Sequence, residues 1–236
     1  MNILQIVKEF CRRQGLVIPS LAIGSQDDQL EQIVGLANEI GEDLVIRRNW
    51  SNLVNEATFT SVAGEDQGLL SDLAPNCFFK VLNDTLYDRT RNLPLYGPRN
   101  PQQWQMSKSL QFTGPFHQYR IRNGRLLTYP ALPEGHTIAF EYVSKAIAYN
   151  ANENVCKVFF TNDEDECLLD SNLMLKGLRW RWKAEKGFPY VEDFRAYEVA
   201  ASNTAAADGG APVINMGDER QPGPLIIAPP GNWSLS

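Results

Sequence analysis

The sequence predicts an α+β protein: an α-helical bundle built from N- and C-terminal helices, an antiparallel β domain inserted between them, and an extended C-terminal arm. Three observations predict it. Apolar residues recur at helical spacing near both ends of the chain, the middle alternates with a period of two and is punctuated by turn residues, and the last stretch is rich in Pro and Gly without any periodicity. The corresponding segments are 1–49, 50–162, 163–207 and 208–236.

In the first segment Ile3, Ile6, Val7 and Phe10 mark one helical face, and Gly15 after Arg12 and Arg13 is a stop signal. After the connector LVIPSLAIG, Ser25 with Asp28 reads as a capping box, and Asp27, Asp28 and Glu31 favour the positive end of a second helix. Leu30, Ile33, Ala37, Ile40 and Leu44 carry its apolar face, widened by Val34 and Val45, and Arg47 and Arg48 close it.

The middle segment holds the strand-like runs EATFTSV, CFFKVLN, TLYDRT, HTIAFEYVS and NVCKVFFTN. In QYRIRNGRLLTYP, Asn123-Gly124 lies between two such runs, a hairpin signal because both residues accept positive φ. One short helix is expected over 102–110. The acidic run at 163–166 reads as the start of the next helix, where carboxylates favour the dipole, in preference to a metal cluster. That helix is expected to end at Gly187, and a second to restart at Pro189 with Val191, Phe194, Tyr197 and Ala201 on its apolar face.

The helix ending at Gly187 has two apolar faces. Leu168, Leu175, Leu178 and Trp182 fall on one, and Leu169, Leu173, Gly177, Trp180 and Ala184 fall almost opposite. A helix apolar on both sides is sandwiched between two layers. Two arrangements satisfy this: a central position in a monomeric bundle, or one face at home and the other at a subunit contact, where aromatic and Arg residues are enriched. Lys176, Arg179, Lys183 and Lys186 form a basic ridge between the faces, expected to pair with acidic neighbours such as those on the helix carrying Asp27 and Asp43.

Composition narrows function. A net charge of −6 and a pI near 5.1 argue against a surface that wraps nucleic acid, which needs dense Lys and Arg. Cys11, Cys77, Cys156 and Cys167 are scattered with no CxxC pair, so reduced thiols are expected and no metal site. No cofactor loop, GxSxG, P-loop or HExxH occurs, and His117 and His136 have no nucleophile motif beside them, so no catalytic residue is assigned. The N-terminus lacks the continuous apolar core of a signal peptide, and no run reaches membrane-spanning length. Synthesis in a cytoplasm-like compartment without membrane contact is the expectation.

The segments GPRNPQQWQMSK, GPFHQYRIRNGRLLTYPALPEGHTIAFEYVSK and LMLKGLRWRWKAEKGFPYVEDFRAYEVA, in this order, resemble the head-to-tail adaptor proteins of tailed bacteriophages, the connectors of the tail tubular A type. The resemblance extends over about 1–207. It implies a virion protein made in the host cytoplasm that forms a homo-oligomeric ring, commonly twelvefold, beneath the portal protein. Such a ring extends the channel through which DNA passes without sequence-specific binding, and it docks the tail nozzle or a tail-completion protein. Trp180, Trp182, Arg179 and Lys183 are then candidates for a subunit or partner interface, joined by Leu225, Ile226, Ile227 and Trp233, which would anchor the C-terminal arm on a neighbour. Two readings from other classes stand beside it: a virion-associated cell-wall hydrolase, and a carbohydrate- or receptor-binding β module that uses the tyrosines and tryptophans of the middle segment.

Overall fold

A computed structural model of the chain describes residues 1–110 and 116–209. Its elements, in chain order, are α1 (Ile3–Gln14), α2 (Asp28–Arg47), β1 (Val54–Thr60), β2 (Gly64–Leu69), α3 (Leu70–Leu73), β3 (Phe78–Val81), β4 (Tyr87–Asp88), β5 (Leu93–Pro94), α4 (Pro101–Ser109), β6 (Gln118–Arg122), β7 (Arg125–Leu132), β8 (Thr137–Ser144), β9 (Ala148–Asn150), β10 (Val155–Lys157), β11 (Glu166–Cys167), α5 (Ser171–Glu185) and α6 (Val191–Ala207). The protein is α+β, with every strand pair antiparallel among the named strands.

Local signals explain several boundaries. Asn2 closes a capping box with Gln5 at the start of α1, and Gly15 ends that helix at φ 69°, a left-handed position that favours glycine. The N-cap of α2 is Asp27, whose carboxylate accepts from Gln29 N–H at 2.9 Å. The expected cap, Ser25, instead takes the Asp27 N–H at 3.2 Å. Asn100 caps α4 with Pro101 at its first position, where a missing N–H loses nothing. At the expected hairpin, Asn123 (φ 52°) and Gly124 (φ 71°) join β6 to β7.

Three sheets form. A five-stranded sheet has the order β1-β8-β4-β5 with β3 also on β8, a second has the order β2-β7-β6, and a small one has β10-β9-β11. Tyr119, Leu126, Ile138, Phe140 and Tyr142 lie in the core between the first two. The Tyr119 phenol is wholly buried there, and burial pushes its pKa up to about 12. The small sheet turns the other way. Ile147, Ala148 and Phe160 share a core with α1, α2, α5 and α6, so the expected β segment 50–162 divides between two cores.

The acidic run does not begin a helix. Glu166 pairs in β11, and α5 starts at Ser171 behind the N-cap Asp170, which accepts from Leu173 N–H at 2.7 Å. Residues 163–166 act as a clasp. The Asp163 carboxylate accepts from the backbone N–H groups of Ala22 (3.0 Å) and Ile23 (2.7 Å), which fixes the α1–α2 connector. The Asp165 carboxylate, with no exposed surface, accepts from Thr161 N–H (2.8 Å), Asn162 N–H (2.9 Å), the Asn150 amide (2.8 Å) and Lys157 Nζ (3.2 Å). Burial works to raise its pKa, and the bonds from Thr161, Asn150, Asn162 and Lys157 outweigh it, holding the carboxyl below the ordinary carboxylate range. The backbone of the run also receives the N–H groups of Ile3 and Leu4, so α1 is tied at its first turn to residues far along the chain.

Candidate interaction surface

The two-faced helix is α5, and both of its faces are covered within the chain. On one side Trp182, 8% exposed, meets Phe10 of α1 edge-on at 5.9 Å between ring centres and lies under Phe188 at 5.9 Å. On the other side Trp180 meets Phe194 at 5.1 Å, Tyr197 at 6.0 Å and Tyr190 at 6.4 Å, all from α6 or the turn that leads into it. The second cover that the sequence left open between a neighbouring subunit and the chain itself is α6. Opposing apolar faces on α5 therefore carry no argument for oligomerisation.

Close approach fixes this layer. A Cβ added at Gly177 would lie 2.8 Å from Ile40 Cγ2 and 3.3 Å from a ring carbon of Tyr197, so α2 and α6 reach α5 at a point where only a hydrogen fits. Arg181 stacks over Trp180 at 5.0 Å and binds Glu39 and Asp43 of α2. Beside it, Arg47 donates to Glu198 at 2.7 and 3.0 Å and lies 5.3 Å over the Tyr197 ring. The bond to Glu198 pushes the Arg47 pKa up and lowers that of Glu198, while burial pushes the Tyr197 phenol up.

Two of the four ridge cations pair, with a different partner from the one expected. Arg179 reaches Asp193 of α6 at 2.9 Å and Lys183 reaches the same carboxylate at 2.5 Å. Arg181, which lies off the ridge, is the residue that binds the acids of α2. One carboxylate thus compensates two ridge cations, and the two candidate basic residues face α6 rather than open solvent alone. Leu225, Ile226, Ile227 and Trp233 lie outside the described residues.

What remains open is the turn around the end of α5. Phe188, Val191, Tyr190 and Phe194 are 51%, 68%, 42% and 39% exposed, and three of them rest on the two tryptophans beneath. The expected apolar face of α6 is therefore buried only in its later part, at Tyr197 and Ala201, because its first turn projects beyond the cover that α5 offers. The indole N–H groups of Trp180 and Trp182 are both buried without an acceptor among the described residues. A second apolar cluster, Val17, Ile18 and Leu21, stands exposed on the α1–α2 connector. The spacing of aromatics at 188, 190, 194 and 197 was the sequence signal for this edge, and helical periodicity alone assigns it to the interior.

The histidines serve the β region. His136 Nδ1 lies 2.8 Å from the buried Asp88 carboxylate, and its backbone N–H donates to Ser61 Oγ at 3.0 Å. His117 Nδ1 lies 2.9 Å from the Pro130 carbonyl oxygen, with Arg91 Nη1 3.3 Å from Nε2. Asp88 also accepts from Thr90 and Arg91 N–H, which makes it the hub of a turn rather than a group with a spare oxygen facing a cleft. Among the described residues no group of three or more His, Cys, Asp or Glu is placed to hold a metal ion, and no helix is long and apolar enough to cross a membrane. No protein-family model matches the chain, and comparison with curated proteins gives no match.

Proposed function

We propose that this chain is a structural virion protein, a head-to-tail adaptor that forms a ring under the portal protein, extends the DNA channel and docks the tail. The observation that carries the reading is the coincidence of the adaptor-like segment order with two separate exposed apolar clusters, one at Phe188, Tyr190, Val191 and Phe194 and the other at Val17, Ile18 and Leu21. A ring is closed by a head-to-tail contact between two different patches of the same subunit, and exposed apolar clusters of this kind are what such contacts bury.

In this reading α1, α2, α5 and α6 form a bundle that makes the ring wall, and the β segment projects toward the outside or the tail. An arm over 208–236 lays Leu225, Ile226, Ile227 and Trp233 on an adjacent subunit or partner. The acidic composition suits a channel that must let DNA pass without gripping it. No catalytic residue, metal or cofactor enters the proposal, and the ring number follows the twelvefold arrangement common in the resembling family. Mixing the purified protein with portal rings, followed by native mass spectrometry and imaging, tests it. The expected product is a stoichiometric ring on the portal, and a protein that stays monomeric on intact portals refutes the reading.

A further inference from the structure

Two of the four cysteines meet at the joint between the β region and the helical layer. The Cys77 thiol donates to the Cys156 carbonyl oxygen at 3.4 Å, although the two residues are 79 positions apart. The backbone on the Cys77 side is tightly held: the Tyr142 hydroxyl donates to the Pro75 carbonyl, Ser144 Oγ to that of Asn76 at 2.7 Å, and Lys145 N–H to that of Cys77 at 2.8 Å. Asn76 and Cys77 stand there at φ 67° and 57°, and the left-handed region is uncommon for a cysteine. On the other side Cys156 pairs with Tyr149 in β9, and Ile147 N–H donates to the carbonyl of Lys157 at 3.0 Å. The short connector 145–147 therefore holds both cysteine backbones in place.

The pair suits a disulfide and not a metal ion. Among the described residues no group of three or more His, Cys, Asp or Glu is placed to hold a metal, so the two thiols lack the further ligands that zinc requires. Cys77 and Cys156 are both half-buried, whereas Cys11 is buried and burial pushes the Cys167 thiol up to about 11. Burial also pushes Cys77 and Cys156 up, with Cys156 adding to the shift at Cys77 and Lys145 opposing it, so their exchange quickens as pH rises. The thiol–carbonyl contact places the two Cα atoms within about 9 Å of each other, and a disulfide needs about 7 Å or less. β10 has three residues and is paired on one side only among the described strands, so it can move to close that gap.

We propose that Cys77 and Cys156 form an oxidation site, which closes into an intrachain disulfide when the folded protein passes from a reducing compartment into one that contains glutathione disulfide. One cysteine thiolate attacks a sulfur of the glutathione disulfide, whose S–S bond breaks as a glutathione thiolate leaves. The second cysteine thiolate then attacks the protein-bound sulfur and expels the other glutathione. The two protein thiols give up two electrons to the reagent, and their two protons end on the two glutathione thiols. The bridge joins the turn ahead of β3, whose strand lies on the core of the two larger sheets, to the small sheet that packs with α1, α2, α5 and α6. It braces the joint between the two cores and restricts the unfolded chain over a loop of 79 positions. The inference goes beyond the adaptor reading and does not depend on it.

The test uses the full chain, purified with reductant and then transferred into glutathione disulfide at about pH 8. The remaining thiols are blocked with N-ethylmaleimide in denaturant, and intact mass with a non-reducing peptide map reports the pairing. Two of the four thiols should be lost to a Cys77–Cys156 link, favoured over any other pairing by about tenfold or more. The oxidised chain should melt several degrees above the reduced one, and dithiothreitol should reverse the shift. The same treatment in guanidinium chloride should scramble the pairing, because the fold makes the selection. Four free thiols, glutathione adducts at Cys77 and Cys156 without a link, a link between copies or between another pair, equal selectivity in the unfolded chain, or an unchanged melting temperature would each overturn the proposal. None of these outcomes bears on the ring reading, which the portal experiment decides.

Discussion

Asp165→Ala removes the centre of the clasp. The carboxylate is fully buried and accepts two backbone N–H groups, one side-chain amide and one ammonium. Alanine leaves these donors without their acceptor, and each backbone N–H so stranded costs about 1–3 kcal/mol. Lys157 keeps a second partner in Glu153 at 2.9 Å, which limits its share of the loss. A destabilisation of about 3–5 kcal/mol follows, the range for removing one partner from a buried ion pair. Asp165→Asn keeps one carbonyl oxygen and should lose less. In equilibrium urea unfolding with a slope of about 2–3 kcal/mol per M, the alanine variant moves the midpoint down by about 1–2.5 M. The pH dependence checks the same group. Its pKa is depressed in the folded protein, so its contribution is fully present above the unfolded value, ordinarily 3.8, and is lost as pH falls through the lower folded value. The wild type should lose stability on acidification below about pH 4 by a component that Asp165→Asn lacks. A loss of under 1 kcal/mol for Asp165→Ala, or identical acid profiles for wild type and Asp165→Asn, would show that the clasp holds nothing together.

Other outcomes follow from the packing around α5. Trp182→Ala should destabilise the isolated protein by about 3–5 kcal/mol, as for a large buried aromatic, and Trp180→Ala should also destabilise it, since α6 rests on that ring; thermal melts of both variants check this, and an unchanged melting temperature for Trp180→Ala would contradict the intrachain cover. Gly177→Ala forces a methyl against Ile40 and Tyr197, so chemical denaturation should show a loss of about 1–3 kcal/mol. The Cys167 thiol, pushed up to about 11 by burial, should react with iodoacetamide at pH 8 far more slowly than a free thiol, as measured by peptide mass spectrometry.

The parts of the fold governed by neighbours in the chain were legible in the sequence. The Asn123-Gly124 turn, the face carrying Ile3, Ile6, Val7 and Phe10, and the short helix after Asn100 each depend on residues within a few positions. The acidic run was misread for the opposite reason. The groups that Asp163 satisfies, Ala22 and Ile23 N–H, lie 141 and 140 residues away, and a backbone donor has no side chain by which a sequence could announce it. At the candidate surface, periodicity identified the apolar side of α6 but could not say how far along the helix its cover extends, so Val191 and Phe194 were assigned inward when they stand at the open end. The cover for Trp180 was present in the sequence as Tyr190, Phe194 and Tyr197, but which helix packs on which is a question of crossing geometry, and spacing within one helix does not answer it.

The clasp also sets an order of events during synthesis. The first turn of α1 finds its backbone partners only at Asp163 and Asp165, so its docking waits until those residues have left the ribosome. At about 5–20 residues per second, the intervening 160 or so residues take about 8–32 s. Through that interval Ile3, Ile6, Val7 and Phe10 have only α2 to pack against, because α5, which supplies Trp182 against Phe10, is later still. The helical layer therefore closes from the far end of the chain back onto its beginning, and the face of α1 that meets Trp182 stays uncovered until the last turn of α5 arrives.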